Sequence, residues 1–393
     1  MSMKKFTKKM LAIVAAGAMT MGLAMPVFAA GADTTTKEAY ITKVFNTEVE
    51  KNVDFTFSAV QQKNGAGVDN LVETKADVTI NDASFTTSDG TGTLTKRWAV
   101  TFPEYNEAGK YSYKVTETGN SLNLDDKGEK EKMLMSKAEY LMDVYVSNTT
   151  AGGYEISNII VNKIKNDQGT AEESPVKVDI GDGKNNGFKF ENTYVKEAGT
   201  DPSKPGTDPD EDYGNFGSLN VSKKVEKNVT TGDTTQPAIN DTFSFTAEFN
   251  FPAGTDENTL GGVNANGTKI TLTNGTTHTF TLTDGANMKF TKLPVGTKIT
   301  VTETAKANYK GSAVVTLNGT QESTVAATKY NEKITVSAKK LGQKKNTVDV
   351  TNRFNNVPTT GIIMNTLPYV LMVALCAVAL FGFVAFKRKK VQK

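Results

Sequence analysis

Apolar and polar residues alternate with a period of two over short stretches of this chain, and that alternation predicts β-strands rather than helices. The pattern occurs twice, in the same order. Ile41-Thr42-Lys43-Val44-Phe45 sets Lys43 on the face of Ile41 and Phe45, and Leu219-Asn220-Val221-Ser222-Lys223-Lys224-Val225 sets Lys223 with Leu219, Val221 and Val225. Lys224 competes for the same place, but the alternation favours Lys223. Next come Val53-Asp54-Phe55-Thr56-Phe57-Ser58-Ala59 and Asp241-Thr242-Phe243-Ser244-Phe245-Thr246-Ala247, each with two phenylalanines facing one way. Tyr111 to Thr118 then matches Thr297 to Thr304. Glu117 lies on the face of Tyr111, Tyr113 and Val115, and Glu303 on that of Ile299 and Val301. Each half closes on an asparagine: Asn192 beside Phe188 and Phe190, Asn352 beside Val348 and Val350. Turn signals between many short strands predict an all-β chain of two β-sandwiches in tandem.

The stretch from 195 to 216 breaks the alternation. Asp201-Pro202, Lys204-Pro205-Gly206 and Asp208-Pro209-Asp210-Glu211-Asp212 read as a linker between a domain at 30–194 and another at 217–356.

Long apolar runs occur at the two ends. Residues 1–29 carry Lys4, Lys5, Lys8 and Lys9, an apolar run from Met10, and Val27-Phe28-Ala29, which describes a signal peptide cut between Ala29 and Ala30. Residues 357–393 hold Val357-Pro358-Thr359-Thr360-Gly361, an apolar run from Leu367 to Phe386 long enough to span a bilayer, and Lys387-Arg388-Lys389-Lys390. The pentapeptide, followed by a span and a basic tail, resembles a sortase sorting signal. That resemblance implies cleavage between Thr360 and Gly361, with Thr360 carried as a thioester and the membrane occupied only before sorting.

Charge and composition narrow the function. The formal net charge is +2, yet both basic termini lack acidic residues, so removing them leaves an acidic chain with no electrostatic case for nucleic-acid binding. Cys376 is the single cysteine and lies in the apolar run, so no disulfide can staple either domain. His278 is the single histidine and reads as a solvent-facing strand residue. No spacing of ligands suggests a metal, the acidic run Asp208–Asp212 included, and no cofactor motif is present. A surface enzyme finds no nucleophile–base pair or phosphate-cradling loop.

Lysine, glutamate and asparagine thus stand once per domain on an apolar face. Charges are costly there unless paired or neutral. Burial pushes a lysine towards the neutral amine and a glutamate towards the neutral acid. A neutral amine is a nucleophile, and a protonated carboxyl can bond the asparagine oxygen and shuttle protons. The product would be a Lys–Asn amide, with ammonia lost.

The Lys…Val-Thr-Glu…Asn order, with Asp284-Gly285-Ala286-Asn287-Met288-Lys289-Phe290-Thr291-Lys292-Leu293-Pro294-Val295-Gly296 in the second half, resembles the two-domain major pilins of streptococci and related Firmicutes. The resemblance covers nearly all of the mature chain. It implies two Ig-like domains in tandem, with self-formed isopeptide bonds Lys43–Asn192 with Glu117 and Lys223–Asn352 with Glu303. It also implies polymerisation by a pilus-specific sortase and transfer to peptidoglycan by a housekeeping sortase. The partners would be other copies of itself and minor pilins, on a cell-surface pilus. The acceptor lysine of such pilins falls shortly before the first closing asparagine, where Ile180-Gly181-Asp182-Gly183-Lys184-Asn185-Asn186-Gly187 offers Lys184 in a Gly/Asn-rich loop, with Lys177 and Lys189 as alternatives. The Tyr-Pro-Lys motif of other pilin groups is absent. A monomeric wall-anchored adhesin built on the same domains is the other reading.

Overall fold

The computed structural model describes residues 37–65, 69–201, 209–226, 241–272 and 276–354. The two terminal segments read as targeting signals, including Ala29, Ala30 and Val357 to Gly361, lie outside these residues. Among the described residues no helix is long and apolar enough to cross a membrane. The chain is all-β and divides into two compact units. The first runs to Glu197 and takes in Phe251–Gly262 and Pro294–Gly296; the second begins at Ala198 and holds the remainder.

In the first unit the strands are β1 (Tyr40–Thr47), β2 (Val53–Gln61), β3 (Thr79–Ile80), β4 (Ala83–Phe85), β5 (Gly92–Thr101), β6 (Gly109–Asn120), β7 (Glu131–Leu134), β8 (Glu139–Asn148), β9 (Tyr154–Lys165), β10 (Ala171–Val178) and β11 (Lys189–Lys196). They form a five-stranded sheet in the order β3-β5-β1-β11-β7 and a six-stranded sheet in the order β10-β9-β8-β6-β2-β4. Their inner faces meet through Ile41 and Phe190 from one sheet, joined by Phe188 just before β11, and Tyr111, Tyr113, Val115, Tyr140 and Met142 from the other, all buried. Alternating apolar residues on paired strands generate this core directly, because one face of each sheet must be removed from water.

The second unit comprises β12 (Leu219–Glu226), β13 (Phe243–Asn250), β14 (Asn264–Ala265), β15 (Thr268–Lys269), β16 (Thr277–Leu282), β17 (Asn287–Thr291), β18 (Lys298–Glu303), β19 (Tyr309–Leu317), β20 (Thr320–Gln321), β21 (Val325–Ala326), β22 (Ile334–Lys340) and β23 (Thr347–Phe354). One sheet runs β15-β14-β17-β12-β23-β19-β20, with β21 beside β19, and the other β16-β13-β18-β22. Buried positions alternate with half-buried or exposed ones along β13 and β19, as a two-sheet core requires.

In both units the first and last strands are parallel hydrogen-bonded neighbours. Phe45 pairs with Asn192 in β1–β11, and Val225 pairs with Asn352 in β12–β23. Each lysine therefore sits two residues before the partner of its asparagine, on the same face of the sheet. Strands this far apart in sequence become neighbours only after the intervening chain has wrapped the core.

The segment read as a linker is partly structured. Val195 and Lys196 belong to β11, Val195, Glu197 and Ala198 are buried, and Pro209–Phe216 forms a short helix.

Candidate functional site

Lys43 points inward from β1 and its side chain is fully enclosed. Its Nζ donates to Glu117 Oε2 at 2.8 Å and Oε1 at 3.0 Å, and lies 4.2 Å from the centre of the Phe55 ring. Glu117 reaches it from β6 in the opposite sheet, also with no exposed side-chain surface. Asn192 Nδ2 donates to Glu117 Oε1 at 2.5 Å, so one carboxyl oxygen touches both prospective reactants. On the other side of the carboxamide, the backbone N–H of Ser136 donates to Asn192 Oδ1 at 2.7 Å. A backbone N–H can only donate, which fixes oxygen towards Ser136 and nitrogen towards Glu117. The sequence reading has the glutamic acid bonding the asparagine oxygen; here it faces the nitrogen.

The second unit repeats the arrangement. Lys223 Nζ lies 3.0 Å from Glu303 Oε1, an ion-pair contact without hydrogen-bond geometry, and 4.0 Å from the centre of the Phe243 ring. Asn352 Nδ2 donates to Glu303 Oε1 at 2.7 Å. Phe57 and Phe245, the second phenylalanine of each Phe-x-Phe, pair in register with Glu117 and Glu303. Lys224 is exposed beside Glu226, so Lys223 is the inward residue of the two.

Burial sets the electrostatics. Loss of water is the largest influence on each lysine and lowers both amines to about 8, against the attraction of the neighbouring glutamate. The same loss of water raises Glu117 and Glu303 above the usual carboxylate range, opposed by their lysines. Both directions move towards a neutral amine beside a neutral acid. A ring face 4.0–4.2 Å away is compatible with either charge state of the amine.

Several neighbours carried little signal in the sequence. Ser136 Oγ donates to Asp167 Oδ1 at 2.6 Å, and that same oxygen accepts the Glu191 N–H at 2.8 Å, pinning the turn beside Asn192. Gly311 is opposite Asn352 on β19, and a Cβ placed there would meet Asn352 Oδ1 and Ile334 Cγ1 at 2.8 Å. A glycine inside an alternating strand is the available clue to such close approach.

Lys184 is exposed in a turn held by Asn186, whose Nδ2 donates to Tyr40 O and Gly181 O at 2.7 Å each. Lys177 is exposed on β10, and Lys189 is paired with Glu191 at 2.8 Å. His278 differs from its expected solvent-facing place. It alternates with buried Phe280 and Leu282, stands half-buried 6.0 Å from the Phe280 ring centre, and desolvation lowers its pKa.

A family model described as a domain of unknown function, DUF7601, matches residues 217–353. No curated protein matches in sequence. Solved structures to which the chain is similar include a major pilin from Streptococcus pyogenes, at 20% identity over 81% of this chain and 99% of that one, with a TM-score of 0.31. Another is the major pilin T3.2 from the same species, at 18% identity, 81% and 99% coverage and a TM-score of 0.29. A bacterial adhesin from Mobiluncus mulieris, described as containing intramolecular disulfide, isopeptide and ester cross-links, aligns at 14% identity over 64% of this chain and 91% of its own, with a TM-score of 0.22.

Proposed function

We propose that this chain is a structural pilin subunit, its two units each closed by an internal Lys–Asn amide and its copies joined head to tail by sortase. The observation that carries the reading is the duplicated centre: in both units a buried lysine on the first strand and asparagine on the last meet a glutamate from the opposite sheet.

The chemistry follows from the contacts. The neutral Lys43 amine attacks Asn192 Cγ, and Oδ1 takes up the developing negative charge. Glu117 accepts a proton from the attacking nitrogen and passes one to Nδ2, with which it already shares a hydrogen bond. The Cγ–Nδ2 bond breaks, ammonia leaves, and the amine nitrogen is now an amide. Lys223, Glu303 and Asn352 follow the same course. Each centre reacts once, so the chain is its own substrate and not a turnover enzyme.

Polymerisation rests on the ends and one loop. The sorting signal supplies an acyl group at Thr360, and the exposed turn at Lys184 supports an amine accessible to a sortase. The polymer would be attached to peptidoglycan at the cell surface. The test is to boil cell-wall extracts in SDS and blot for this protein. A ladder of high-mass species is expected; a single band would leave a monomeric wall-anchored adhesin. Mass spectrometry of the region 30–360 checks the internal amides separately, one ammonia lost per bond.

A further inference from the structure

The two centres differ at the carbonyl oxygen. Pairing between β11 and β7 stops at Thr193 with Leu134, and the chain then turns so that the Ser136 N–H points at Asn192 Oδ1. In the second unit β19 continues straight past the asparagine, with Gly311 paired to Asn352. Asn352 Oδ1 is buried and finds no hydrogen-bond donor among the described residues. Glu303 donates nothing to it, being engaged with the carboxamide nitrogen.

We infer that the two amides form at unequal rates, the first accelerated by the Ser136 N–H acting as a fixed donor to the Asn192 carbonyl oxygen. This rests on the amide reading above and deepens it. As Lys43 Nζ adds to Cγ, the carbonyl bond opens and a full negative charge gathers on Oδ1. A donor already 2.7 Å from that oxygen stabilises the charge without reorganising. Its placement is enforced from behind: Ser136 Oγ is tied to Asp167, the Lys137 N–H donates to Asp167 O at 2.9 Å, and the Ala138 N–H donates back to Ser136 Oγ at 3.2 Å. Asn352 must reach the same intermediate with its oxygen unsupported by any described donor. When the intermediate collapses, the electron pair returns to the carbonyl, the proton held by the glutamate goes to Nδ2, and ammonia departs. Loss of one such donor slows comparable acyl transfers on the order of 10²-fold, and that is the difference expected between the centres.

The experiment uses the full chain made in a cell-free system, with acid quenches at timed intervals and proteolysis to read ammonia loss in each unit by mass. The Lys43–Asn192 linkage should be complete while Lys223–Asn352 is still forming. Replacing Ser136 by its α-hydroxy acid, which deletes only the N–H, should slow the first linkage about a hundredfold and leave the second unchanged. Ser136→Ala keeps the N–H but loses the Oγ bonds that aim it, so the first amide should form more slowly than in the unaltered chain yet well ahead of the hydroxy-acid chain. Equal rates in the unaltered chain would overturn the inference without any variant. So would a hydroxy-acid chain that reacts at full speed, or a Ser136→Ala chain slowed as much as it. Absence of ammonia loss in both units would instead reject the amide reading beneath it.

Discussion

At the scale of single residues, each unit confines three polar side chains whose ordinary charges are costly in an apolar interior. Desolvation drives Lys43 and Lys223 down and Glu117 and Glu303 up, so each pair is suited to proton exchange. Glu117→Ala and Glu303→Ala should each restore one ammonia to the intact mass. Each should also lower stability by roughly 5 kcal/mol, the loop-entropy value for a closure of more than a hundred residues. A pH test distinguishes a free amine from an amide. In Asn352→Ala the Lys223 amine persists with a folded pKa of about 8 against an ordinary 10.5. The unfolded chain then binds more protons between those values, so stability should rise with pH across that window, by roughly 3 kcal/mol at most. Glu303 has the opposite sign: its raised value makes stability fall as pH climbs from 4.5 through the folded pKa. Denaturant titrations of the variant and the unaltered chain from pH 8 to 10.5 check this. The unaltered chain should lack the rise, because an amide nitrogen does not titrate there.

At the scale of elements, the decisive feature is the parallel pairing of first and last strands in matched register. Gly311 lets β19 lie against the Asn352 carboxamide in that arrangement. Gly311→Ala would place a methyl 2.8 Å from both Asn352 Oδ1 and Ile334 Cγ1, with Glu303 Oε2 at 3.5 Å. Asn352 Oδ1 and the Ile334 side chain must then give way, which disturbs the carboxamide's bond to Glu303. Ammonia loss in the second unit should slow at least tenfold while the first is unaffected, read from the masses of the two proteolytic halves. Period-two alternation made Lys43, Glu117, Asn192, Lys223, Glu303 and Asn352 legible in the sequence, because an inward charge interrupts an apolar face in a way that only pairing can accommodate. Alternation also separated Lys223 from Lys224. It could not reveal Ser136, Asp167 or Asn186, which act from turns where no periodicity operates and where the side chain's target is remote in sequence. It misplaced His278 because a Thr-rich strand looks polar on both faces, whereas the ring packs on Phe280 and Phe290. Pro209–Phe216 was hidden by its low apolar content, which gives no amphipathic stripe to read.

At the scale of the whole molecule, delivery, linkage and tension have separate structural requirements. Lys184 meets the requirement of access, standing exposed on a turn that Asn186 fastens to Tyr40. Lys184→Ala should therefore collapse the SDS-resistant ladder to monomer while leaving both internal ammonia losses intact. A persisting ladder would move the acceptor to Lys177 or Lys189.

Tension is the requirement that the proposed internal amides would address. In the region 30–360 pulled by its two ends, force enters each unit along its first strand and leaves along its last. Without an amide, β1 and β11, or β12 and β23, are loaded against each other and resist only through their ladder hydrogen bonds and the core. With the amide, force passes from Lys43 to Asn192, or from Lys223 to Asn352, through covalent bonds, and the chain between them carries none of it. Single-molecule pulling on the region 30–360 should accordingly show no extension step from either unit at forces that unfold ordinary β-sandwiches. Asn192→Ala should release one step, with the contour length of the first unit, and Asn352→Ala one with that of the second. The double variant should give both. Steps of those lengths in the unaltered chain would mean that the centres had not closed, however well placed their side chains are.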